Sequence, residues 1–337
     1  MSILDVGHGN SAVLVDDLGV VVIDAGPGSS LLEFLVQESI NRIDVLLISH
    51  ADKDHIKGVI ALLGSEEFTI GRVRLNSDAL KQSALWDDLL YLLNQESRRG
   101  HIDAQVALVA DASETFDQGS VRVEVVAPSL YLAGRSPGST DRCGRRLTSN
   151  SVSAAIRLIK GDQPIIFFPG DIDDVGFDNL LESDRDITAP ILVFPHHGGL
   201  PGAGSVATFA RRLCAAVRPE MVIFSIGRGE YGMPQPDVVA AVREVTRNVR
   251  IACTQLSTHC AAALPIIPPK HLTGKFARGR QYNKCCAGTL VIDLDDSMAN
   301  VLPASIPHQD FISSFAATAL CMKPLRSQHQ RVTSTTP

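Results

Sequence analysis

Four side chains able to bind a metal, His50, Asp52, Asp54 and His55, fall within six residues of the chain. They follow an apolar run, 43–48, that reads as a buried strand, and they precede Gly58 and the apolar stretch 59–63. This spacing puts them on a tight strand-to-helix connection, where several side chains can converge on one point. Imidazole and carboxylate together hold one or two divalent cations. A cation held this way lowers the pKa of a bound water to about 7, so hydrolysis at neutral pH is the chemistry on offer. A helix cap accounts for one acidic residue at such a junction, Asp54 for instance, but not for four ligand types in close succession.

Two later segments repeat the arrangement. The run 164–169 is an apolar strand that ends in Gly170-Asp171, and the run 190–195 ends in His196-His197-Gly198-Gly199. In each case ligand-type residues stand at the C-terminal end of a buried strand, where α/β folds gather their chemistry. A lone Gly-Asp or His-His says little; three strand-end clusters in this order say much more. No Ser-His-Asp or Cys-His arrangement competes for the role of nucleophile.

The ordered set resembles the metallo-β-lactamase fold superfamily, and most of all the soluble hydrolase domain of ComEC-type DNA-internalisation proteins and their free-standing relatives. Asp5-Val6-Gly7-His8-Gly9-Asn10 is similar to that group's opening Asp-Val-Gly-Gln-Gly-Asp element. The stretch from Val21 to Gly26 resembles its second strand with an Asp-x-Gly turn, and His50 to His55 its His-x-Asp-x-Asp-His signature. Asn150-Ser151-Val152-Ser153, Gly170-Asp171 and Pro195-His196-His197-Gly198 match its later elements. Ser225-Ile226-Gly227 with Gly232-Met233-Pro234 resembles a Ser-x-Gly…Gly-His-Pro segment. Two segments depart from the pattern: Met233 stands where the group has His, and the opening motif carries His8 for Gln and Asn10 for Asp.

The resemblance implies an α/β fold, an αββα sandwich of two mixed sheets between helices, and two divalent cations, zinc or manganese. His50 and Asp52 would serve one cation, Asp54 and His55 the other. Asp171 would bridge, and His197 rather than His196 would complete one shell. Asp54 and Asp171 are thus the catalytic carboxylates. Asn150 stands where other members of the superfamily place a His, and with Arg145 it is expected to face substrate. Asp52 in place of the more usual His hardens the first site, which favours manganese. The implied activity is hydrolysis of phosphodiesters, with nucleic acid or another phosphodiester as the partner. Two alternatives stand beside it: a hydrolase of lactone, thioester or β-lactam bonds, or a non-catalytic metal-binding module of a defence-type system.

Elements must hold these residues in place. Strands are expected over 2–6, 11–15, 20–24, 44–49, 72–75, 104–109, 121–126, 153–158, 165–168, 191–194 and 221–225. Helices are expected over 30–39, 57–63, 78–98, 206–217 and 236–245. Residues 128–149, rich in Gly, Ser, Pro and Arg, read as a mobile loop beside the site. The hydrolase domain is expected to span 1–255, with a Cys-containing extension packed on it over 256–322 and a disordered tail over 323–337. In the extension, Cys253, Cys260 and Cys285 are candidates for a second, structural zinc, against the alternative of buried free thiols.

Composition narrows the classes. Of 337 residues, 31 are Lys or Arg and 37 Asp or Glu, a formal net charge of −6, which disfavours a general nucleic-acid binder. It does not exclude a nuclease, for which a local cationic patch such as Arg142, Arg145, Arg146 and Lys160 suffices. The chain has no stretch of about twenty apolar residues and no basic, apolar leader. Its seven cysteines, an odd count, do not read as a secreted disulfide framework. A cytoplasmic location without membrane contact is therefore expected.

Overall fold

The computed structural model describes residues 1–202, 204–294 and 300–322; the tail expected over 323–337 lies outside them. The first sheet opens with three short antiparallel strands, β1 (Ser2–Ile3), β2 (Ala12–Asp16) and β3 (Gly19–Ile23), and continues in parallel through β4 (Arg42–Leu47), β5 (Thr69–Leu75) and β6 (Asp103–Val106). The second sheet runs from β7 (Val121–Ala127) through β8 (Ala155–Lys160) and β9 (Gln163–Phe168). It then becomes parallel through β10 (Ile191–Val193), β11 (Met221–Phe224) and β12 (Arg250–Cys253). Strands β13 (Leu290–Ile292) and β14 (Val301–Leu302) join the first sheet beside β1, so the stretch after residue 255 contributes directly to it.

Side-chain alternation explains the layering. On β3 and β4, Val21, Ile23, Val45 and Leu47 point between the sheets, where they meet Ile156, Leu158, Ile166, Phe168, Ile191, Val193 and Ile223. Val22 and Leu46, one residue out of phase, face instead the helices α1 (Ser30–Gln37), α2 (Lys53–Leu63) and α3 (Ala84–Arg98) through Phe34, Ile56, Val59 and Leu89. The second sheet is covered by α5 (Asp174–Glu182), α6 (Val206–Val217), α7 (Pro236–Val245) and α8 (Ser305–Phe315), with Phe177, Phe209, Leu213, Val238 and Ile312 among the buried contacts. Two mixed sheets thus lie between helical layers, the αββα sandwich implied by the sequence.

Three local differences bear on the site. Helix α2 begins at Lys53, four residues earlier than its apolar pattern suggested, so Asp54 and His55 sit in its first turn. Helix α3 begins only at Ala84, with the Ser83 side chain accepting the Trp86 N–H; residues 78–83 form a loop. The stretch 128–149 contains a short helix α4 (Leu130–Arg135) and an antiparallel bridge between Thr140 and Arg146. Among the described residues, no helix is long and apolar enough to cross a membrane.

Candidate metal centre

The parallel strands of both sheets bring their C-terminal ends to one edge of the sandwich. β3 delivers Asp24 there, β4 delivers Ser49 and His50, β9 delivers Asp171, and β10 delivers His196 and His197. Helix α2 is drawn tightly onto the end of β3. Its Gly58 N–H donates to the Ala25 carbonyl at 2.8 Å, and the Ala25 N–H donates to the His55 carbonyl at 2.8 Å. A Cβ at position 58 would lie 2.6 Å from the Gly26 carbonyl oxygen, so only glycine permits this approach. Gly170 has a left-handed φ of 56° that turns Asp171 inward, and its absent side chain leaves room for Ser153. His196 and His197 both adopt left-handed φ, near 51° and 54°, an uncommon pair for residues bearing a Cβ.

The side chains converge on one oxygen. Asp171 Oδ2 lies 3.6 Å from His55 Nε2, 4.0 Å from His50 Nε2, 4.0 Å from His197 Nε2 and 3.7 Å from His196 Nδ1. Its other oxygen accepts the His196 backbone N–H at 2.7 Å. On one side, His50 Nε2 stands 3.7 Å from Asp52 Oδ2; on the other, His197 Nε2 stands 3.0 Å from Asp54 Oδ2. Ligating atoms of Asp54, His55, Asp171 and His197 all lie within 4.8 Å of one another, a group able to hold a metal ion. Asp52 occupies the N-cap position of α2 without capping it; its carboxylate is instead shared between the His50 side and the Lys81 ammonium.

Hydrogen bonds behind the site fix which nitrogens face it. Asp24, buried at a left-handed φ of 58°, accepts the Ser49 N–H at 2.7 Å, the Ser49 hydroxyl at 2.8 Å and His55 Nδ1 at 2.7 Å. With its own proton given to Asp24, the Ser49 hydroxyl can only accept from His50 Nδ1, 3.0 Å away. Both rings therefore keep the proton on Nδ1 and turn a lone pair on Nε2 toward Asp171, the arrangement that prepares imidazole for a cation. His50 Nε2 and His55 Nε2 are buried and have no hydrogen-bond partner among the described residues. An orphaned buried acceptor is costly, so these two atoms fit a cation. Asn10 Nδ2 donates to Asp24 Oδ2 at 3.3 Å, which explains why an amide is at home where the resemblance had a second carboxylate.

The electrostatics follow. Burial and the neighbouring His55 lower the basicity of His50, so it stays neutral. Burial alone would do the same to His55, but the carboxylates of Asp24 and Asp171 outweigh it and hold that ring well above the usual histidine range, so a cation taken up on Nε2 would displace a proton from it. Burial would raise Asp171; the surrounding rings of His196, His55 and His197 reverse this and hold it well below the usual carboxylate range. Asp54 is likewise lowered against its own burial by His197 and His55. Asp54 and Asp171 are thus ionised at neutral pH.

The remaining predicted site residues are placed as follows. Asn150 lies in a 3-10 turn (Asn150–Val152) whose carbonyl accepts from Ser153 and Asp173, and its Oδ1 is buried with no partner among the described residues. Arg145, the other residue expected to face substrate, has its guanidinium paired with the carboxylates of Asp141 and Asp178. The cation that reaches the centre is Lys81. Cys253, Cys260 and Cys285 do not gather three ligand atoms, and the centre above is the one such group among the described residues. Instead Cys285 donates its thiol to Asp5, and burial holds the Cys253 thiol well above its usual range, unlike a zinc ligand, which must ionise. The sequence reading lacked Asp24, Ser49 and Lys81 as site residues. Asp24 stood in a turn motif already visible, but its contact to His55 joins positions 31 residues apart.

A family profile described as "Metallo-beta-lactamase superfamily" matches residues 4–216. Among solved structures, the metallo-beta-lactamase fold protein YhfI from Bacillus subtilis is similar at 11% identity and a TM-score of 0.46, over 75% of this chain and 95% of that one. Tm1679, a metal-dependent hydrolase of the beta-lactamase superfamily, is similar at 20% identity and a TM-score of 0.46, over 75% and 95%. A diphosphatase of the PhnP family is similar at 13% identity and a TM-score of 0.39, over 73% and 81%. No curated protein matches the chain significantly.

Proposed function

The chain belongs to the metallo-β-lactamase superfamily, and from that membership and its strand-end centre we propose that it is a metal-dependent hydrolase of phosphodiesters, a nuclease or phosphodiesterase. The observation that carries the reading is the single oxygen of Asp171, with imidazole nitrogens of His50, His55 and His197 around it at 3.6 to 4.0 Å. Such a hub divides the donors into two sets that share one carboxylate. His50 and Asp52 would hold one divalent cation, Asp54, His55 and His197 a second, and Asp171 both. Mixed imidazole and carboxylate donors suit zinc or manganese.

Bound there, the cations supply an acidified water as nucleophile and a Lewis acid for the phosphoryl oxygens. The protein's own part is placement. Asp24 and Ser49 lock the two histidine rings, and the tight docking of α2 fixes the distance between the donor sets. Lys81 adds a positive charge beside Asp52. Two dications and the Lys81 ammonium against the carboxylates of Asp24, Asp52, Asp54 and Asp171 would leave an excess of about one positive charge at the centre, which favours an anionic ester over a neutral lactone. That local excess also makes the acidic net charge of the whole chain compatible with a polyanionic substrate.

The test is a panel assay of protein loaded with Mn²⁺, Zn²⁺ or Mg²⁺ on single-stranded DNA, bis-p-nitrophenyl phosphate and nitrocefin. Cleavage of the phosphodiesters but not of nitrocefin is expected, and Asp171→Ala should lower it about a thousandfold or more, since both donor sets depend on that carboxylate. If no loaded form cleaves either phosphodiester, the proposal is lost. Nitrocefin hydrolysis would then favour the lactam-type reading, and inertness on all three the binding module.

A further inference from the structure

His8 sits at the centre without belonging to the group of ligands. It occupies the tip of a turn between Gly7 and Gly9, both at positive φ, and the turn is tied to α2 by the Asn10 N–H, which donates to the Asp54 carbonyl at 3.2 Å. The His8 side chain is only 10% exposed, and its Nε2 lies 3.7 Å from Asp54 Oδ2. Its ring lies 4.3 Å from that of His197 on one side and 4.6 Å from that of Tyr231 on the other, centroid to centroid. Neither ring nitrogen is satisfied among the described residues: Nδ1 is buried without a hydrogen-bond partner, and at 3.7 Å the Asp54 carboxylate is too far from Nε2 to accept from it. A nearly buried imidazole without a satisfied nitrogen is unusual in a folded protein and calls for a missing partner.

The geometry says which partner. The ligating atoms of Asp54, His55, Asp171 and His197 form one tight set, and His8 lies outside it. Its Nε2, 3.7 Å from Asp54 Oδ2, stands beside that set on the Asp54 flank. Its Nε2 faces a carboxylate, which favours the proton on that nitrogen and makes it a donor. An oxygen at about 2.8 Å from Nε2 would complete the hydrogen bond while remaining next to Asp54.

We propose that His8 is a substrate-contacting residue, whose Nε2–H donates to an oxygen of the phosphoryl group held at the centre, with the Tyr231 ring fixing the imidazole in that pose. The inference rests on the metal-centre reading above and is independent of whether the bound phosphoryl group is cleaved. It also gives a reason for Tyr231, which is 73% exposed at a left-handed φ of 51°, to lie with its ring against the outer side of His8.

Binding of inorganic phosphate to the zinc-loaded and manganese-loaded protein, measured by titration calorimetry, tests this without turnover. His8→Phe keeps the ring and removes the donor; His8→Gln keeps a donor of similar reach. Phosphate affinity should fall about tenfold or more in His8→Phe and stay within about threefold of wild type in His8→Gln, while metal stoichiometry and metal affinity are unchanged in both. Equal phosphate affinity in wild type and His8→Phe overturns the inference, as does absence of phosphate binding to the loaded wild type. Loss of metal in His8→Phe also overturns it, because His8 would then be a ligand. A wild type that shows the predicted difference yet cleaves no phosphodiester leaves the role of His8 standing and removes the hydrolase reading instead.

Discussion

At the scale of single residues, the centre depends on a carboxylate that contacts no cation position directly. Asp24 takes four hydrogen bonds, from Asn10, from both groups of Ser49 and from His55, and through the last three sets the orientation of two rings. An amide at that position could accept only with its oxygen, and its NH₂ would oppose His55 Nδ1–H. Asp24→Asn should therefore weaken cation affinity about ten- to hundredfold with little change of fold, as seen generally when a partner behind a histidine ligand is lost. Competition with a chelating dye would measure it. Affinity equal to wild type would mean that the histidine orientation is fixed by packing alone. The ligand types themselves were readable in the sequence because the fold places His50, Asp52, Asp54 and His55 on one short connection. Lys81 was not readable, because nothing in a loop lysine 29 residues from Asp52 marks it as its partner.

At the scale of elements, the decisive contact is that of helix α2 with the end of β3. Gly58 allows the helix backbone to reach the carbonyls of Ala25 and Gly26, and this approach carries His55 to Asp24. In Gly58→Ala the added Cβ would meet backbone, which cannot swing aside like a side-chain tip. The substitution should lower Tm by several degrees, a cost of about 1 to 3 kcal/mol. It should also reduce metal binding in the protein that remains folded. A thermal melt with and without added zinc separates the two effects. An unchanged melt would show that α2 can slide outward freely. The early start of α2 shows why the helix boundary was misplaced: residues 53–55 carry polar and ligand side chains, so the apolar period becomes visible only where the helix is already under way.

At the scale of the whole molecule, the C-terminal part is built into the sandwich. β13 pairs with β1, and α8 packs on the second sheet through His308 and Ile312. His308 is buried beside His271, its Nε2 3.3 Å from Cys286 Sγ. Burial, aided by His271 and Arg250, lowers its pKa to about 3. A histidine depressed in the folded state takes up its proton more readily when unfolded. Its contribution is therefore complete above the unfolded value near 6.5 and is lost as pH falls from there toward 3. The loss amounts to roughly 5 kcal/mol once the pH has fallen through the whole window. Denaturant unfolding of wild type and His308→Phe between pH 7 and pH 4 checks this: the wild type should lose more stability on acidification than the variant, and parallel curves would show that His308 is not protonated on unfolding.

The sequence by itself determined the strand-end ligand clusters and the apolar strands, because each is written in contiguous residues, and the αββα class of fold followed from the family resemblance that the ordered clusters carry. Local patterning could not say which carboxylate would stand behind which imidazole, or that Arg145 would pair with Asp141 and Asp178 while Lys81 reached the centre. Nor could it say that Cys285 would give its thiol to Asp5 across 280 residues instead of joining Cys253 and Cys260. These choices belong to the tertiary structure. They are set by which strand ends the two sheets bring to a common edge, and buried polar groups pair with whatever partner the packing places within hydrogen-bond reach, regardless of distance along the chain.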